Sequence, residues 1–268
     1  MIGLFFGETA FPKLILKKIK KKKLKHFIID LSKNNIFKNN TNSHRISIGQ
    51  FGKILKLIRE QKCKKVIFAG KINKPKFSEL KLDITGIYYM PRIIKASKKG
   101  DAAILKELIK ILAKEKINVI SSIYFNPELS LHKGTHSILK PNSKDLIDIK
   151  NGLKILKNLN SYNHIQAIIV KNNNVYKETT RGTKKLIQSI KKTKNKNGIL
   201  IKFPKKKQDL RADLPTIGLD TFKDCKRAGL RGVVIKSKQN IFLERQKCIN
   251  FANKNRMFIL SKWKKYLF

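Results

Sequence analysis

Residues 198–218 read GILIKFPKKKQDLRADLPTIG, and this stretch decides the fold assigned to the second half of the chain. The apolar run Gly198–Phe203 predicts a buried strand that ends at Pro204, because proline supplies no hydrogen-bond donor to a sheet. A polar loop follows, then a helix that ends at Gly229, then a second apolar strand, Gly232–Ile235. Strands that alternate with helices in this way predict an α/β fold built on a parallel sheet.

The loop after the first of these strands places three polar groups close together. Within Arg211–Gly218 stand the guanidinium of Arg211, the carboxylate of Asp213 and the hydroxyl of Thr216, and Pro215 restricts the backbone beside them. In open α/β sheets such loops face the ligand crevice. Asp213 is therefore the candidate catalytic residue, with a carboxylate that only braces its own loop as the alternative interpretation.

The segment Gln208–Gly218 resembles the most characteristic motif of the UDP-2,3-diacylglucosamine pyrophosphatases of the LpxI family, and similar segments follow in matching order along almost the whole chain. The resemblance implies an enzyme that hydrolyses the pyrophosphate of UDP-2,3-diacylglucosamine to UMP and 2,3-diacylglucosamine 1-phosphate (lipid X), a step in lipid A synthesis. It implies Mg²⁺ as the cofactor and a water molecule that attacks the phosphorus on the sugar side. Asp213 would act as the base or hold the metal.

Family-like segments in the first half of the chain suggest further substrate contacts. The residues that the resemblance assigns there are Gly7, Gly49, Gln50, Phe51, Gly70, Lys71 and Asp101. A glycine followed by a lysine at the end of a strand lets the backbone approach an anion that the ammonium neutralises. The alternatives are simple turns with solvated lysines and, for Asp101, an ordinary helix N-cap.

In the second half, the resemblance assigns substrate contacts to Gln166, Thr183, Lys202, Arg211 and Thr216. Pyrophosphate repels an incoming oxygen nucleophile until its charge is neutralised, so Lys202, Arg211 and magnesium would form an electrostatic clamp. The segment Glu178–Lys184 departs from the family, since Arg181 and Lys184 stand where relatives have acids.

The segment from 127 to 141 contains two prolines and a glycine and has no helical or strand periodicity, so we interpret it as an interdomain linker. Residues 1–126 then form a Rossmann-like α/β domain with a parallel sheet. Residues 142–268 form a second α/β domain with a mixed sheet, which carries the motif around Asp213. The expected active-site crevice lies between the two domains.

The chain has a formal net charge of +45, and this excess comes almost entirely from lysine. A compositional bias would produce it without any partner, because the lysines occur in every segment. Attraction to an anionic membrane surface is a second explanation, for which Lys17–Lys25 and the tail Ser261–Phe268 are the candidate segments. We expect no specific nucleic-acid partner, because nucleic-acid readers cluster arginine and aromatic residues along one face.

Two other classes of function are alternatives to the pyrophosphatase. A basic nucleic-acid-binding protein would explain the charge but not the motif around Asp213. A Rossmann-type oxidoreductase would need a glycine fingerprint after the first strand, which the loop at Gly7 lacks, although Asp30 stands in the second strand.

The sequence has no apolar run of the roughly 18 residues that a membrane span needs, and no leader peptide is evident at its start. We therefore expect a cytoplasmic protein that is peripheral on the cytoplasmic face of the inner membrane. The three cysteines have no metal-binding spacing, and the sequence leaves self-association into a homo-oligomer open.

Overall fold

The computed structural model divides the chain into two units, which are described separately. Unit 1 comprises Met1–Asn126 with Asp209–Asp213, and unit 2 comprises Pro127–Gln208 with Leu214–Phe268. The residues that the structure describes are 1–72, 77–159, 165–191, 196–205 and 208–262.

Unit 1 contains a five-stranded sheet in the order β3-β2-β1-β4-β5, and every neighbouring pair is parallel. Its elements are β1 (Ile2–Phe6), α1 (Phe11–Lys21), β2 (His26–Asp30), β3 (Ser43–Arg45), α2 (Phe51–Glu60), β4 (Lys65–Ala69), α3 (Ile84–Ser97), α4 (Asp101–Lys114) and β5 (Asn118–Val119). The predicted Rossmann-like domain with a parallel sheet is confirmed.

The central strands of unit 1 are apolar along their length because the sheet is covered on both faces. Leu4, Ile28 and Ile67 are fully buried. On one face, side chains of the central strands pack with Ile54 and Ile58 of α2. This packing fixes the sheet edge from which the loops after β1 and β4 emerge.

Three elements of unit 1 are not evident from the sequence pattern. Strand β3 has too few apolar residues to show a pattern. Strand β5 is only two residues long. Helix α3 begins at Ile84, because the carboxylate of Asp83 caps it by accepting a hydrogen bond from Gly86 N at 2.7 Å.

Unit 2 contains a mixed six-stranded sheet in the order β6-β13-β11-β9-β7-β8 and a small parallel pair, β10-β12. Its elements are β6 (Gly134–Thr135), α5 (Ser143–Leu159), β7 (Ala167–Lys171), β8 (Asn174–Lys177), α6 (Gly182–Gln188), β9 (Ile199–Lys202), β10 (Thr216–Ile217), α7 (Leu219–Arg227), β11 (Gly232–Lys236), β12 (Ile241–Phe242), α8 (Arg245–Lys254) and β13 (Phe258–Lys262). Strands β9, β11 and β13 are parallel, and β7 is antiparallel to β9. The predicted mixed sheet is confirmed.

Helices cover both faces of the unit 2 sheet. Helix α5 packs on one face, where a β-carbon on Gly152 would lie 2.5 Å from Ile201 Cδ1, so the helix needs glycine at its closest approach. Residues of α6, α7 and α8 form a second core on the other face, which includes Phe222 and Phe242. Strand β9 lies between these layers and ends at Lys202, where the loop that carries the central motif begins.

The structure differs from the sequence analysis in where two segments belong. Residues 127–141 are not a free linker, because Leu131 is fully buried in the unit 2 core and Gly134–Thr135 pair with β13. The whole central motif was predicted to lie in the second domain, whereas Asp209–Asp213 group with unit 1. Most of the basic tail, residues 263–268, lies outside the described residues.

Within the described ranges, no helix is both long and apolar enough to cross a membrane.

The three cysteines are free and buried. Burial raises the pKa of each thiol, that of Cys248 to about 12, so none of them resembles a reactive thiolate.

Candidate active site

The loops after β1 and β4 meet at the carboxyl edge of the unit 1 sheet. Glu8 N donates to Lys71 O at 2.7 Å, and Lys71 N donates to Glu8 O at 3.0 Å. A β-carbon on Gly7 would lie 2.4 Å from Lys71 O, and one on Gly70, which has φ of +87°, would lie 2.5 Å from Glu8 O. Both glycines are therefore required for the two loops to pair, and the pairing holds Lys71 at the sheet edge.

A second predicted segment, Gly49–Phe51, lies against the start of α3. A β-carbon on Gly86 would lie 2.1 Å from Gly49 O, and one on Gly49 would lie 2.6 Å from Lys81 O, so both positions require glycine. Phe51 is buried and its ring makes an edge contact with Tyr89, with centroids 5.7 Å apart. The side chain of Phe51 thus has a packing role, and its assignment as a substrate contact stays a prediction.

Asp83 connects this loop to α3 and was missed by the sequence analysis. Its carboxylate accepts hydrogen bonds from Gly86 N at 2.7 Å and Lys53 N at 3.0 Å. Burial raises the pKa of this carboxyl, but hydrogen bonds from the backbone N–H groups of Gly86, Gly52 and Lys53 together outweigh it and lower the pKa. A carboxylate of the protein therefore already occupies the amino end of α2.

Asp209 and Arg211 form a charged pair at the start of the central motif. Arg211 Nε donates to Asp209 Oδ1 at 2.9 Å, and Arg211 Nη2 donates to Asp209 Oδ2 at 2.7 Å. The Arg211 hydrogen bonds lower the pKa of the Asp209 carboxyl, and the same bonds raise the pKa of the guanidinium. The Arg211 side chain is 53% exposed, so an oriented cation stays accessible to an anionic ligand.

The same turn fixes the backbone of Asp213. Asp213 N donates to Asp209 O at 2.9 Å, and Ala212 packs against the core of unit 1. Asp213 is half-buried. The turn therefore fixes the backbone of Asp213 two residues after the oriented Arg211, and the catalytic role of Asp213 stays a prediction.

Asp101 is exposed at the first position of α4, where Gly100, with φ of +100°, is the N-cap. The predicted role of Asp101 as N-cap is wrong. An N-cap at Asp101 would require the helix to begin at residue 102, whereas it begins at Asp101 itself. A substrate role for Asp101 stays a prediction.

In unit 2, the buried carboxylate of Glu178 organises two of the predicted residues. Its Oε2 accepts from Gln166 N at 2.9 Å and Ala167 N at 3.1 Å, and its Oε1 accepts from the Thr183 hydroxyl at 2.6 Å. The Thr183 hydroxyl proton is therefore committed to the protein. Gln166 Oε1 is buried and, among the described residues, has no hydrogen-bond partner.

Lys202 lies under the second half of the central motif. The side chain is buried, and Nζ donates to Thr216 O at 3.1 Å. The side-chain amide of Asn240 donates to Lys202 O at 3.1 Å, which connects the end of β9 to the turn between β11 and β12. The Lys202 ammonium thus positions the backbone of Thr216, while the Thr216 hydroxyl donates to Leu214 O at 3.2 Å.

The predicted site residues therefore fall into two groups. Unit 1 holds Gly7, Gly49, Gln50, Phe51, Gly70, Lys71, Asp101, Arg211 and Asp213, and unit 2 holds Gln166, Thr183, Lys202 and Thr216. The contacts bring together Gly7 with Gly70 and Lys71 in unit 1, and Lys202 with Thr216 in unit 2. Glu178 links Gln166 to Thr183.

The carboxylates of the chain bear on whether it can bind magnesium. The described part of the chain contains no group of three or more His, Cys, Asp or Glu side chains that could hold a metal ion. Magnesium commonly uses only one or two protein carboxylates together with substrate phosphates and water. A single carboxylate such as that of Asp213 is compatible with that second pattern, and the magnesium cofactor stays a prediction.

The geometry also bears on the oxidoreductase alternative. Such an enzyme would need the Asp30 carboxylate to face a nucleotide ribose. Asp30 is buried, and its oxygens accept hydrogen bonds from Ser32 N at 2.9 Å, Ser32 Oγ at 2.6 Å and Phe37 N at 2.9 Å. These bonds commit the carboxylate to its own loop.

Two protein-family models together match nearly the whole chain. A family model described as the LpxI N-terminal domain matches residues 1–129, and one described as the LpxI C-terminal domain matches residues 132–260. The chain is also similar to the UDP-2,3-diacylglucosamine pyrophosphatase LpxI of Caulobacter vibrioides. The two are 30% identical over 224 residues, which is 80% of each chain.

Proposed function

Since the chain belongs to the LpxI family, we propose that it hydrolyses the pyrophosphate of UDP-2,3-diacylglucosamine to UMP and 2,3-diacylglucosamine 1-phosphate in lipid A biosynthesis. The observation that carries this proposal is the match of both family domains, together with 30% identity to the Caulobacter enzyme over 80% of its length. The structure adds a motif with an oriented arginine and a rigidly held aspartate.

The proposed reaction is a displacement at phosphorus. The water oxygen bonds to the sugar-side phosphorus, the bond from that phosphorus to the bridging oxygen breaks, and the bridging oxygen leaves with UMP. Asp213 either accepts the proton of the attacking water or orients that water, and it is the residue that would hold a metal ion if one is bound. Arg211, oriented by Asp209, stabilises the negative charge on the phosphoryl oxygens as the bonds change.

Lys202 and Lys71 have different parts in this proposal. Lys71 stands at the paired loops of unit 1 and offers an ammonium to the substrate. Lys202 is buried against Thr216 O, so we assign it the positioning of the motif in addition to its long-range positive charge. The predicted clamp is thus revised to Arg211 and Lys71 at the ligand, with Lys202 as support.

Magnesium is part of the proposal. When bound, the ion would neutralise pyrophosphate charge, and Asp213 is the residue that would hold it together with substrate oxygens. The proposal also includes peripheral association with an anionic membrane, since the two acyl chains keep the substrate in a lipid phase. Self-association into a homo-oligomer stays a prediction.

Hydrolysis in water enriched in ¹⁸O tests this function. Incubation with UDP-2,3-diacylglucosamine is expected to release UMP, with the label in the sugar phosphate. Label in UMP would contradict attack at the sugar-side phosphorus, and the absence of UMP would contradict the proposed function itself. A nucleotide-dependent oxidoreductase or a nucleic-acid-binding protein would release no UMP.

A further inference from the structure

Helix α3 exposes an apolar face that the fold does not use. Ile84 is 87% exposed, Ile87 61% and Tyr88 71%, and Pro91 is also exposed. Their spacing of three, four and seven residues places them on one side of a helix about 21 Å long. Exposed apolar side chains that share one face in this way differ from scattered surface residues and mark an interaction surface.

The charge on this helix favours one kind of partner. Helix α3 contains no acidic residue. Lys95 and Lys98, at 11 and 14 residues from Ile84, continue the apolar face towards the carboxyl end of the helix, and both are exposed. An apolar face with an aromatic residue and flanking lysines matches helices that lie in the interface of an anionic bilayer.

The opposite side of α3 is anchored to the predicted substrate loop. Asp83 caps the helix and also binds Lys53 N, Gly86 contacts the backbone of Gly49, and the ring of Tyr89 packs on Phe51. A membrane bound to the exposed face would therefore lie one helix diameter from Gly49–Phe51. The helix is rigidly coupled to the loop, because the glycine contacts leave no room for displacement.

We propose that the α3 face formed by Ile84, Ile87, Tyr88 and Pro91 inserts into the surface of an anionic membrane and brings the Gly49–Phe51 loop to substrate held in that membrane. The link to substrate rests on the proposed function, whereas the insertion rests only on the exposed face and its charge. Lysines elsewhere would add attraction that depends on salt, but the apolar insertion would persist when salt screens that attraction.

Vesicle binding separates the two contributions. Vesicles of equimolar phosphatidylcholine and phosphatidylglycerol would be incubated with wild-type protein and with the double variant Ile87→Asn/Tyr88→Asn, in low salt and in roughly 1 M salt. We expect the wild type to remain bound in high salt and the double variant to bind at least about tenfold more weakly there. Ile138→Asn is the matched control, since Ile138 is 82% exposed in unit 2 and its loss should change nothing.

A depth measurement tests insertion directly. The chain has one tryptophan, so Tyr88→Trp combined with Trp263→Phe gives a single reporter on α3. Lipids brominated on their acyl chains are expected to quench this reporter. Lack of quenching in bound protein, or equal high-salt binding by wild type and the double variant, would overturn the proposal.

Two further readouts distinguish the alternatives. If α3 were instead a contact between two copies, sedimentation would show a wild-type dimer and a monomeric double variant with unchanged vesicle binding, which would also overturn the proposal. Hydrolysis of UDP-2,3-diacylglucosamine in detergent micelles should be equal for wild type and double variant. Insertion without hydrolysis by either protein would contradict the proposed function alone, and hydrolysis with equal vesicle binding would contradict the α3 proposal alone.

Discussion

The guanidinium of Arg211 is held by the carboxylate of Asp209, two residues earlier, through hydrogen bonds of 2.9 and 2.7 Å. The pair lies on the turn that fixes Asp213, because Asp213 N donates to Asp209 O. The side chain of Asp209 therefore orients the Arg211 guanidinium, and the backbone oxygen of Asp209 stabilises the turn. The motif gains rigidity from a residue that has no proposed contact with the substrate.

Replacement of Asp209 tests this positioning role. Asp209→Asn removes the charge that orients Arg211, and we expect kcat/KM for UDP-2,3-diacylglucosamine to fall by about tenfold, which corresponds to about 1.4 kcal/mol. In an Arg211→Ala background the same change should have little further effect, because both substitutions remove one interaction. Strictly additive losses in this double-mutant cycle would contradict the role.

Glu178 is expected to be a structural carboxylate. In Glu178→Gln, an NH₂ group, which donates hydrogen bonds, replaces one of the two carboxylate oxygens. Of these oxygens, Oε2 accepts from two backbone N–H groups and Oε1 accepts from the Thr183 hydroxyl. The loss of an acceptor should lower the free energy of unfolding, measured in urea, by about 1–3 kcal/mol. Thr183→Val removes only one of these bonds and should cost less. Full stability of Glu178→Gln with lost turnover would instead assign the carboxylate to the chemistry.

Asp83 should stabilise unit 1 in a pH-dependent way. Asp83→Ala removes the cap of α3 and should cost about 1 kcal/mol at neutral pH. The pKa of Asp83 is lower in the folded protein than in the unfolded chain, where it is roughly 3.9. The stabilisation that the Asp83 carboxylate gives the fold is therefore complete at pH values above the unfolded-state pKa. It is lost as the pH falls through the folded-state pKa. The difference in melting temperature between variant and wild type should therefore shrink below about pH 4.

Asp220→Ala provides the control for the Asp83 experiment. Asp220 lies in the first turn of α7, and its side chain is 93% exposed, so its removal should change the melting temperature little at any pH. A difference between Asp83→Ala and wild type that stayed constant with pH would show that the charge of Asp83 is not the source of the stabilisation.

The resemblance implies a family acid at the position of Lys184, and this predicts that Lys184 affects metal dependence. Lys184 is exposed in the first turn of α6, where an ammonium disfavours a nearby cation. Lys184→Asp should lower the magnesium concentration needed for half-maximal activity, while Lys185→Asp, which makes the same change in net charge, should have less effect. Equal magnesium curves for wild type and both variants would put Lys184 outside the reach of the metal.

The parts of the fold that the sequence predicted are those with buried apolar strands. The predicted strands at Ile199–Lys202 and Gly232–Lys236 lie inside a sheet, and burial on both faces leaves a continuous apolar run. Gly229, with φ of +70°, ends its helix as expected, because a left-handed residue at that position favours glycine. The residue types within each segment were sufficient to predict these strands and this helix end.

Other features depend on contacts between distant parts of the chain. Asp83 caps α3 but also binds Lys53 N, 30 residues away, and nothing in the local sequence indicates that second bond. The apolar residues of α3 are exposed, so their pattern did not predict which face is buried. Asp209 stood within the quoted motif, yet only its geometry identifies it as the partner of Arg211.

The central claim is that Asp213 acts in the chemistry rather than as a brace, and Asp213→Asn tests it most directly. The substitution preserves the shape of the side chain and the backbone bond to Asp209, but it removes the charge that would activate water or hold a metal. Turnover, substrate affinity and thermal stability would be measured on one preparation. We predict that turnover falls by roughly 10²–10⁴-fold while affinity and melting temperature stay close to those of the wild type. Near-wild-type turnover in well-folded Asp213→Asn protein would contradict the account.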